Sequence, residues 1–309
     1  MVKGLISVVS PCYNHGIVLY RFLDSLLEQT YTNMQVILVD DGSTDNTKDV
    51  VEAYIPKFKS KNIILEYYYQ DNAGVSEAIN TGLRYVKGEF LCWPDSDDWY
   101  SPTAMEERVN FLNNNPEYGI VTCDAYSYVG DENHRQGYLC SGKSPERFEE
   151  NQFHLLLEGR TLICPLCHMV RTEAFFDTHP QRRIYPSRHG QNIQMLLPVY
   201  YKYKRAFLDK ALCHYLILEN SLSHSKKDMD KDFGYRNGIE ELMVATLKSI
   251  PMSENERNGY IRYTNIKNSR RRLLLAKKYK QKEIGKKELI LLKDLKGCKL
   301  SDYWTYLTI

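Results

Sequence analysis

The sequence predicts an α/β protein with a mainly parallel central sheet covered by helices on both faces, followed by a helical extension. Three observations carry this expectation. The first hundred residues alternate between compact β-branched runs and segments whose apolar residues recur at helical spacing. Each run ends in a turn rich in Gly, Asp, Asn or Ser. The charge also changes character along the chain. The net charge is +2, yet residues 257–299 hold 15 Lys/Arg against 3 Asp/Glu, which leaves residues 1–256 at −9.

Residues 5–10 form the first strand, a short run buried on both faces. Apolar residues at 19, 22, 23, 26 and 27 predict a helix over 17–29. Residues 34–39 are the second strand. Ser43 or Thr44 can cap the next helix, whose stripe is Val50, Val51, Tyr54 and Ile55. A strand over 62–69, a helix over 75–86 and a strand over 89–93 complete a βαβαβαβ order. In such sheets crossovers are right-handed and ligands sit beyond the carboxyl ends of the strands. Further on, helices are expected over 102–114, 145–158 and 190–203, with a strand over 119–128. Residues 129–144 read as a loop or hairpin, and 206–208 and 213–218 as short strands. At 309 residues the chain is about two domains long, divided into 1–224 and a helical, basic extension over 225–309.

Composition excludes several classes. Apolar residues make up 43% and charged residues 26%, which rules out collagen, coiled-coil fibre and global disorder. No window approaches the ~20 apolar residues of a membrane span. The candidate over 161–170 is interrupted by Pro165 and His168. The N-terminus reads as a buried strand rather than a secretory leader. The eight scattered cysteines read as reduced core thiols, so a cytoplasmic location is expected. GxxxxGK[ST] does not occur, and no GxGxxG opens a helix after strand one, which removes nucleotide kinases and dehydrogenases.

Two acidic loops carry the chemistry. VDDGSTDNT places Asp40 and Asp41 at the carboxyl end of strand two, where carboxylates can accept hydrogen bonds from a base or a ribose; a turn with a helix cap explains the same residues. CWPDSDDWYSP places Asp95, Asp97 and Asp98 within four residues after strand four. Three such carboxylates repel one another unless a hard divalent cation, Mn²⁺ or Mg²⁺, relieves them; a solvated acidic turn is the simpler reading.

Together with SVVSPCYNHG, SLLEQTYTNMQVILVDDGSTDNT and DNAGVSEAINTGLRYVKGEFLCWPDSDDWYSP, and more weakly ENSLSH, these loops make the chain resemble family 2 glycosyltransferases, inverting enzymes of the three-layer GT-A fold. The likeness is dense over 5–105 and thin to about 224. It implies that Pro11, Tyr13 and Asn14 line a nucleotide pocket. Asp41, with Asp40 beside it, would face uracil, and Gly74 and Asn80 would lie near the donor. Asp95 and Asp97 would hold the cation, and Asp97 and Asp98 count among the catalytic groups. The partners it implies are a nucleotide-sugar donor, UDP-linked, and a glycan or lipid-linked acceptor in bacterial surface polysaccharide synthesis.

The sequence departs from the family where a base is expected. The usual acidic pair before a late helix is replaced by Gln191 and Asn192, whose amides do not act as bases near neutral pH. His189 is the adjacent candidate, with Asn192 positioning the acceptor. Leu218 stands where a histidine is frequent, and His224 follows. A non-catalytic sugar-nucleotide binder and a nucleotidyltransferase are the competing readings, the second disfavoured because SPCYNHG has no Lys or Arg. Cys164-Pro-Leu-Cys167-His168 spells a haem-attachment pattern; that chemistry requires export, and zinc would need a further nearby ligand, so a core strand is expected with His168 near the acceptor. The basic segment 257–299 is read either as an amphipathic helix on an anionic membrane face, making the protein peripheral, or as a packed helix with solvated charges. No nucleic-acid module is visible.

Overall fold

The computed structural model describes residues 1–140, 145–217 and 228–309. Its chain forms two compact units, Met1–His224 and Ser225–Ile309. The first unit begins with strand β1 (Val2–Cys12), helix α1 (Leu19–Leu27), β2 (Met34–Asp40), α2 (Thr47–Ser60), β3 (Ile64–Tyr69), α3 (Val75–Leu83) and β4 (Gly88–Cys92). It continues through β5 (Trp99–Tyr100), α4 (Ala104–Asn114), β6 (Tyr118–Val129), β7 (Arg135–Tyr138), α5 (Phe153–Glu158), β8 (His168–Arg171), α6 (Thr172–Thr178), α7 (Asn192–Lys202) and β9 (Lys204–Ile217).

All nine strands join one sheet in the order β3-β2-β1-β4-β8-β6-β9-β5, with β7 on β6. β3, β2, β1 and β4 are mutually parallel, as the βαβ alternation dictates. β8 enters antiparallel between β4 and β6. The two faces of β1 separate the layers. Ile6 and Val8 pack in one core with Phe22 and Leu26 of α1, Phe58 of α2 and Met105 of α4. Val9 turns the other way, toward α3, where a methyl on Gly82 would lie 2.4 Å from Val9 Cγ1. Glycine there lets helix and strand approach closely.

The structure departs from the expected elements in three places, two of them in the second half. The helix expected over 145–158 is a 3₁₀ turn at Pro145–Phe148 followed by the short α5. The two short strands over 206–218 are one 14-residue strand, β9, whose pairing with β6 slips at Cys123–Ala125. Those slips break the period of two that makes a strand readable. The helix expected over 17–29 starts at Leu19, with Ile17 left 85% exposed. Leu218 and the ENSLSH segment lie outside the described residues.

The second unit contains α8 (Met229–Ser249), α9 (Glu254–Lys278), α10 (Lys282–Asp294) and α11 (Leu300–Leu307). Residues 257–299 therefore do not form one amphipathic helix. Asp228 and Ser253 cap α8 and α9 by accepting from Lys231 N and Glu256 N. Leu273, Leu289 and Leu292 are buried. Part of the positive charge is spent internally: Arg272 pairs with Glu240 and Glu288, Arg270 with Asp302, and Lys278 with Asp232. Among the described residues no helix is long and apolar enough to cross a membrane.

Candidate active site

The site grows from strand order. β2 and β4 flank β1 and run parallel to it, so the loops that follow them open at the same edge of the sheet. Adjacent strands lie ~4.8 Å apart, which puts the two acidic loops about 10 Å from each other, on either side of the end of β1. Side chains from the β1 end hold both. Ser10 Oγ donates to Pro94 O at 3.0 Å, and His15 Nδ1 lies 2.7 Å from Ser96 Oγ. On the other side, Asn14 N donates to Ser43 Oγ, and Thr44 N donates to Asn14 Oδ1, each at 2.8 Å. Asn14 adopts φ +53, a conformation asparagine tolerates because its side chain bonds locally. Pro11 pairs with Val39 inside the sheet, and Tyr13 is 48% exposed above it.

The β2 carboxylates are buried and already engaged. Asp40 accepts from Ser43 N at 2.7 Å and Tyr67 Oη at 2.6 Å. Burial, then this carboxylate, push the Tyr67 phenol upward. Asp41 Oδ1 accepts from Gln70 Nε2 and Ala73 N, and its Oδ2 from Gly74 N, all within 2.9 Å. Asp41 therefore fixes the 70–74 loop. Gly42 and Gly74 both need to be glycine there. They sit at φ +82 and +95; a methyl on Gly42 would lie 2.8 Å from Asn72 N, and one on Gly74 3.0 Å from Arg188 Cγ.

The β4 loop is a concentration of negative charge. Asp98 is fully buried; its Oδ1 accepts from Leu216 N of β9 at 2.9 Å, and its Oδ2 has no partner. Burial and then Asp97 hold its carboxyl well above the usual range. Burial, with Asp97 second, raises Asp95 to about 7, while a hydrogen bond from Gln191 opposes the shift. An orphaned carboxylate oxygen and mutually repelling hard-oxygen donors fit a divalent cation chemically. Among the described residues no three His, Cys, Asp or Glu side chains form a ready cage. An ion of the magnesium class, held through one or two carboxylates plus substrate phosphates, needs none.

A segment from the far half of the unit crosses the same edge. Asn80, expected near the donor, spends both ends of its amide on Ile184, accepting from its N at 2.7 Å and donating to its O at 3.1 Å. Ser76 Oγ donates to Gly190 O, and Arg188 donates to Asn72 Oδ1 and O. Gln191 Nε2 reaches Asp95 Oδ1 at 3.1 Å, and Asn192 Oδ1 accepts from Trp93 Nε1 at 3.2 Å. Gln191 and Asn192 thus belong to the acidic loop's surroundings, with His189 exposed next to them. Sequence reasoning missed Arg188 because nothing in its local pattern shows that it lands over Gly74.

The cysteine pattern resolves as a core feature. All eight cysteines are free thiols and seven are buried. Cys164 precedes and Cys167 ends a 3₁₀ turn leading into β8, and Cys123 Sγ lies 3.4 Å from Cys213 Sγ in the same core. His168 is buried in β8, bonded to Thr122 Oγ1 at 2.9 Å and stacked on Trp93 at 5.8 Å.

A parallel half with acidic loops on its second and fourth strands, joined to a mixed half, defines the GT-A class of fold. Solved structures agree. TarS of Staphylococcus aureus, crystallised with UDP-GlcNAc, superposes with a TM-score of 0.64 at 17% identity, covering 97% of this chain and 89% of that one. The mannosyltransferase PcManGT of Pyrobaculum calidifontis, with GDP-Man and Mn²⁺, gives 0.57 at 16% identity, covering 98% and 78%. Residues 7–177 match the model of glycosyl transferase family 2, and the chain belongs to that family. Among curated relatives, the glycosyltransferase GlyG of Streptococcus pneumoniae is 40% identical over 58% of this chain and 60% of its own length. An uncharacterized glycosyltransferase of Rickettsia typhi is 31% identical over 52% of this chain and 50% of its own. The matched segments thus span about half or somewhat more of these relatives.

Proposed function

We propose that the chain transfers a sugar, with inversion, from a UDP-linked donor to a hydroxyl of a glycan or lipid-linked acceptor in surface polysaccharide synthesis. The supporting observation is the shared edge of β2 and β4, with Asp41 and Asp97 on loops tied to one β1 end. Pro11, Tyr13, Asn14, Asp40 and Asp41 border the nucleoside side, and Gly74 and Arg188 the rim beside it. Asp95 and Asp97 would hold Mn²⁺ or Mg²⁺, which when bound neutralises negative charge developing on the departing diphosphate. Asp98 fastens the loop to β9 through Leu216 N. His189 is the proposed proton acceptor for the attacking hydroxyl, and Asn192 positions it.

Thermal stabilisation by a panel of nucleotide sugars, with and without Mn²⁺, tests this reading. A donor that binds the folded state raises the melting temperature by mass action, by about 2.7 kcal/mol of stability at a hundred times its Kd. UDP-sugars should stabilise more with Mn²⁺ than without. Stabilisation without donor turnover would favour the non-catalytic binder, and pyrophosphate exchange would favour the nucleotidyltransferase. No stabilisation by any nucleotide sugar sinks the proposal.

The peripheral membrane reading shifts within the second unit. On α11, Leu300, Tyr303, Trp304 and Leu307 are 82%, 40%, 70% and 68% exposed, while Asp302 turns inward to Arg270. Lys293 lies over the Tyr303 ring, and among the described residues no carboxylate pairs with Lys286, Lys287, Lys293 or Lys296. An exposed aromatic, apolar stripe with Lys293 at its edge suits an anionic lipid surface better than the 257–299 segment alone. The full chain should float with phosphatidylglycerol vesicles and not with phosphatidylcholine vesicles. A Trp304→Glu, Leu307→Glu protein should remain below the gradient, and equal flotation of both proteins would refute the assignment.

A further inference from the structure

A row of aromatic side chains runs outward from the acidic loop. Trp99 pairs with His214 across β5–β9, His214 with Tyr126 across β9–β6, and Tyr126 with Tyr138 across β6–β7. Directly paired residues project from the same face of a sheet. Successive ring centroids lie 5.1, 5.4 and 5.2 Å apart, so the four form one ladder spanning about 14 Å at the usual strand spacing.

Its inner end is locked to the candidate site. Trp99 follows Asp98 in sequence, and Asp98 Oδ1 accepts from Leu216 N, two residues beyond His214. Both His214 nitrogens are engaged, Nδ1 with Tyr128 Oη at 2.9 Å and Nε2 with Ser101 Oγ at 3.0 Å. Burial, then the neighbouring Arg135, press its pKa down to about 4, so the ring is neutral at physiological pH. Side chains stand up from a sheet, so rings stacked on one another turn their edges outward. Trp99, His214 and Tyr126 are half-buried and Tyr138 is 39% exposed. The result is apolar area fringed by an indole N–H and phenol hydroxyls, an amphipathic surface of the kind that matches a saccharide.

The outer end carries a cation. Arg135 lies 4.2 Å from the Tyr126 ring centroid and 5.6 Å from that of Tyr138. Nearby carboxylates are turned elsewhere, Glu132 to Arg21 and Asp131 to His134. Among the described residues no carboxylate comes within 4.0 Å of Arg135.

We infer that the Trp99–His214–Tyr126–Tyr138 ladder is the binding platform for an anionic oligosaccharide acceptor, with Arg135 reading its negative group. The inference rests on the transferase reading for the word acceptor, and the binding itself does not. Calorimetric titration of the full chain with three probes tests it: maltotetraose, which is neutral; a hyaluronan tetrasaccharide, whose charge is carboxylate; and a phosphomannosyl disaccharide, whose charge is phosphate. One charged probe should bind more tightly than maltotetraose, and which one does identifies the anion. Arg135→Ala should weaken that probe about tenfold, Arg135→Lys should recover part of the loss, and Tyr138→Ala should weaken all probes that bind. Circular dichroism checks that each variant is folded. Binding lost in Arg135→Ala while no nucleotide sugar stabilises the protein would leave the platform standing and remove the transferase reading. Nucleotide-sugar stabilisation with no binding of any probe, or binding unchanged in folded Arg135 and Tyr138 variants, overturns the platform.

Discussion

Replacing Asp97 by Asn should abolish sugar transfer while leaving the protein at least as stable as before. The carboxylate lies between two others whose charged forms it disfavours: burial first, then Asp97, raises Asp95 to about 7 and holds Asp98 well above the usual carboxylate range. Removing one negative charge from that loop relieves repulsion, so the melting temperature of the ligand-free protein should rise by about 1–3 °C, in line with roughly half a kcal/mol. Under the proposed function, transfer depends on the same charge for the opposite reason. If the loop holds the ion that balances a departing diphosphate, its loss should cost about 10³-fold or more in turnover, roughly 4 kcal/mol of transition-state stabilisation. Donor stabilisation should also lose its Mn²⁺ increment. A merely structural aspartate would lower stability and activity together. An Asp97→Asn protein with full metal-dependent transfer would remove the ion from this loop.

The first half of the fold was legible because its information is local. Each strand of β1 to β4 is a short apolar run, and each helix between them shows its stripe within one window. Parallel order then forces the acidic loops of β2 and β4 to one edge, so Asp41 and Asp97 could be placed together without coordinates. The second half hid its partners in long-range pairing. β8 slips between β4 and β6, and the 14-residue β9 is kinked by register shifts that erase its alternation. The strap held by Asn80 on Ile184 joins residues 104 apart, which no window can show. Arg188 and the aromatic ladder were unreadable for the same reason: Trp99, Tyr126, Tyr138 and His214 are unremarkable tyrosines, tryptophan and histidine until four strands lay them side by side. Gln191 and Asn192 were visible as departures, but only their bonds to Asp95 and Trp93 show that they line the same loop.

Acid should destabilise the protein through His168 in a way that one substitution removes. The ring is fully buried, its Nδ1 bonds Thr122 Oγ1, and its Nε2 has no partner. Burial first, then the Arg205 and Arg108 guanidinium groups, lower its pKa from 6.5 to about 3. The folded protein therefore binds fewer protons at this site than the unfolded chain. Stability is complete above pH 6.5 and falls as pH drops through 6.5 toward 3, with an upper limit of about 5 kcal/mol over the whole interval. Asp95 works with the opposite sign, since its raised pKa contributes stability that is full below about 4 and is lost as pH rises toward 7. The wild-type slope mixes the two, so the decisive quantity is a difference between proteins. Urea unfolding at pH 7 and pH 5 should show a pH-dependent loss larger in wild type than in His168→Gln by about 2 kcal/mol, the share one such histidine contributes over that interval. The Gln side chain can still bond Thr122 but takes up no proton in either state. Equal losses in both proteins would mean that His168 is reached by water and protonated in the folded state.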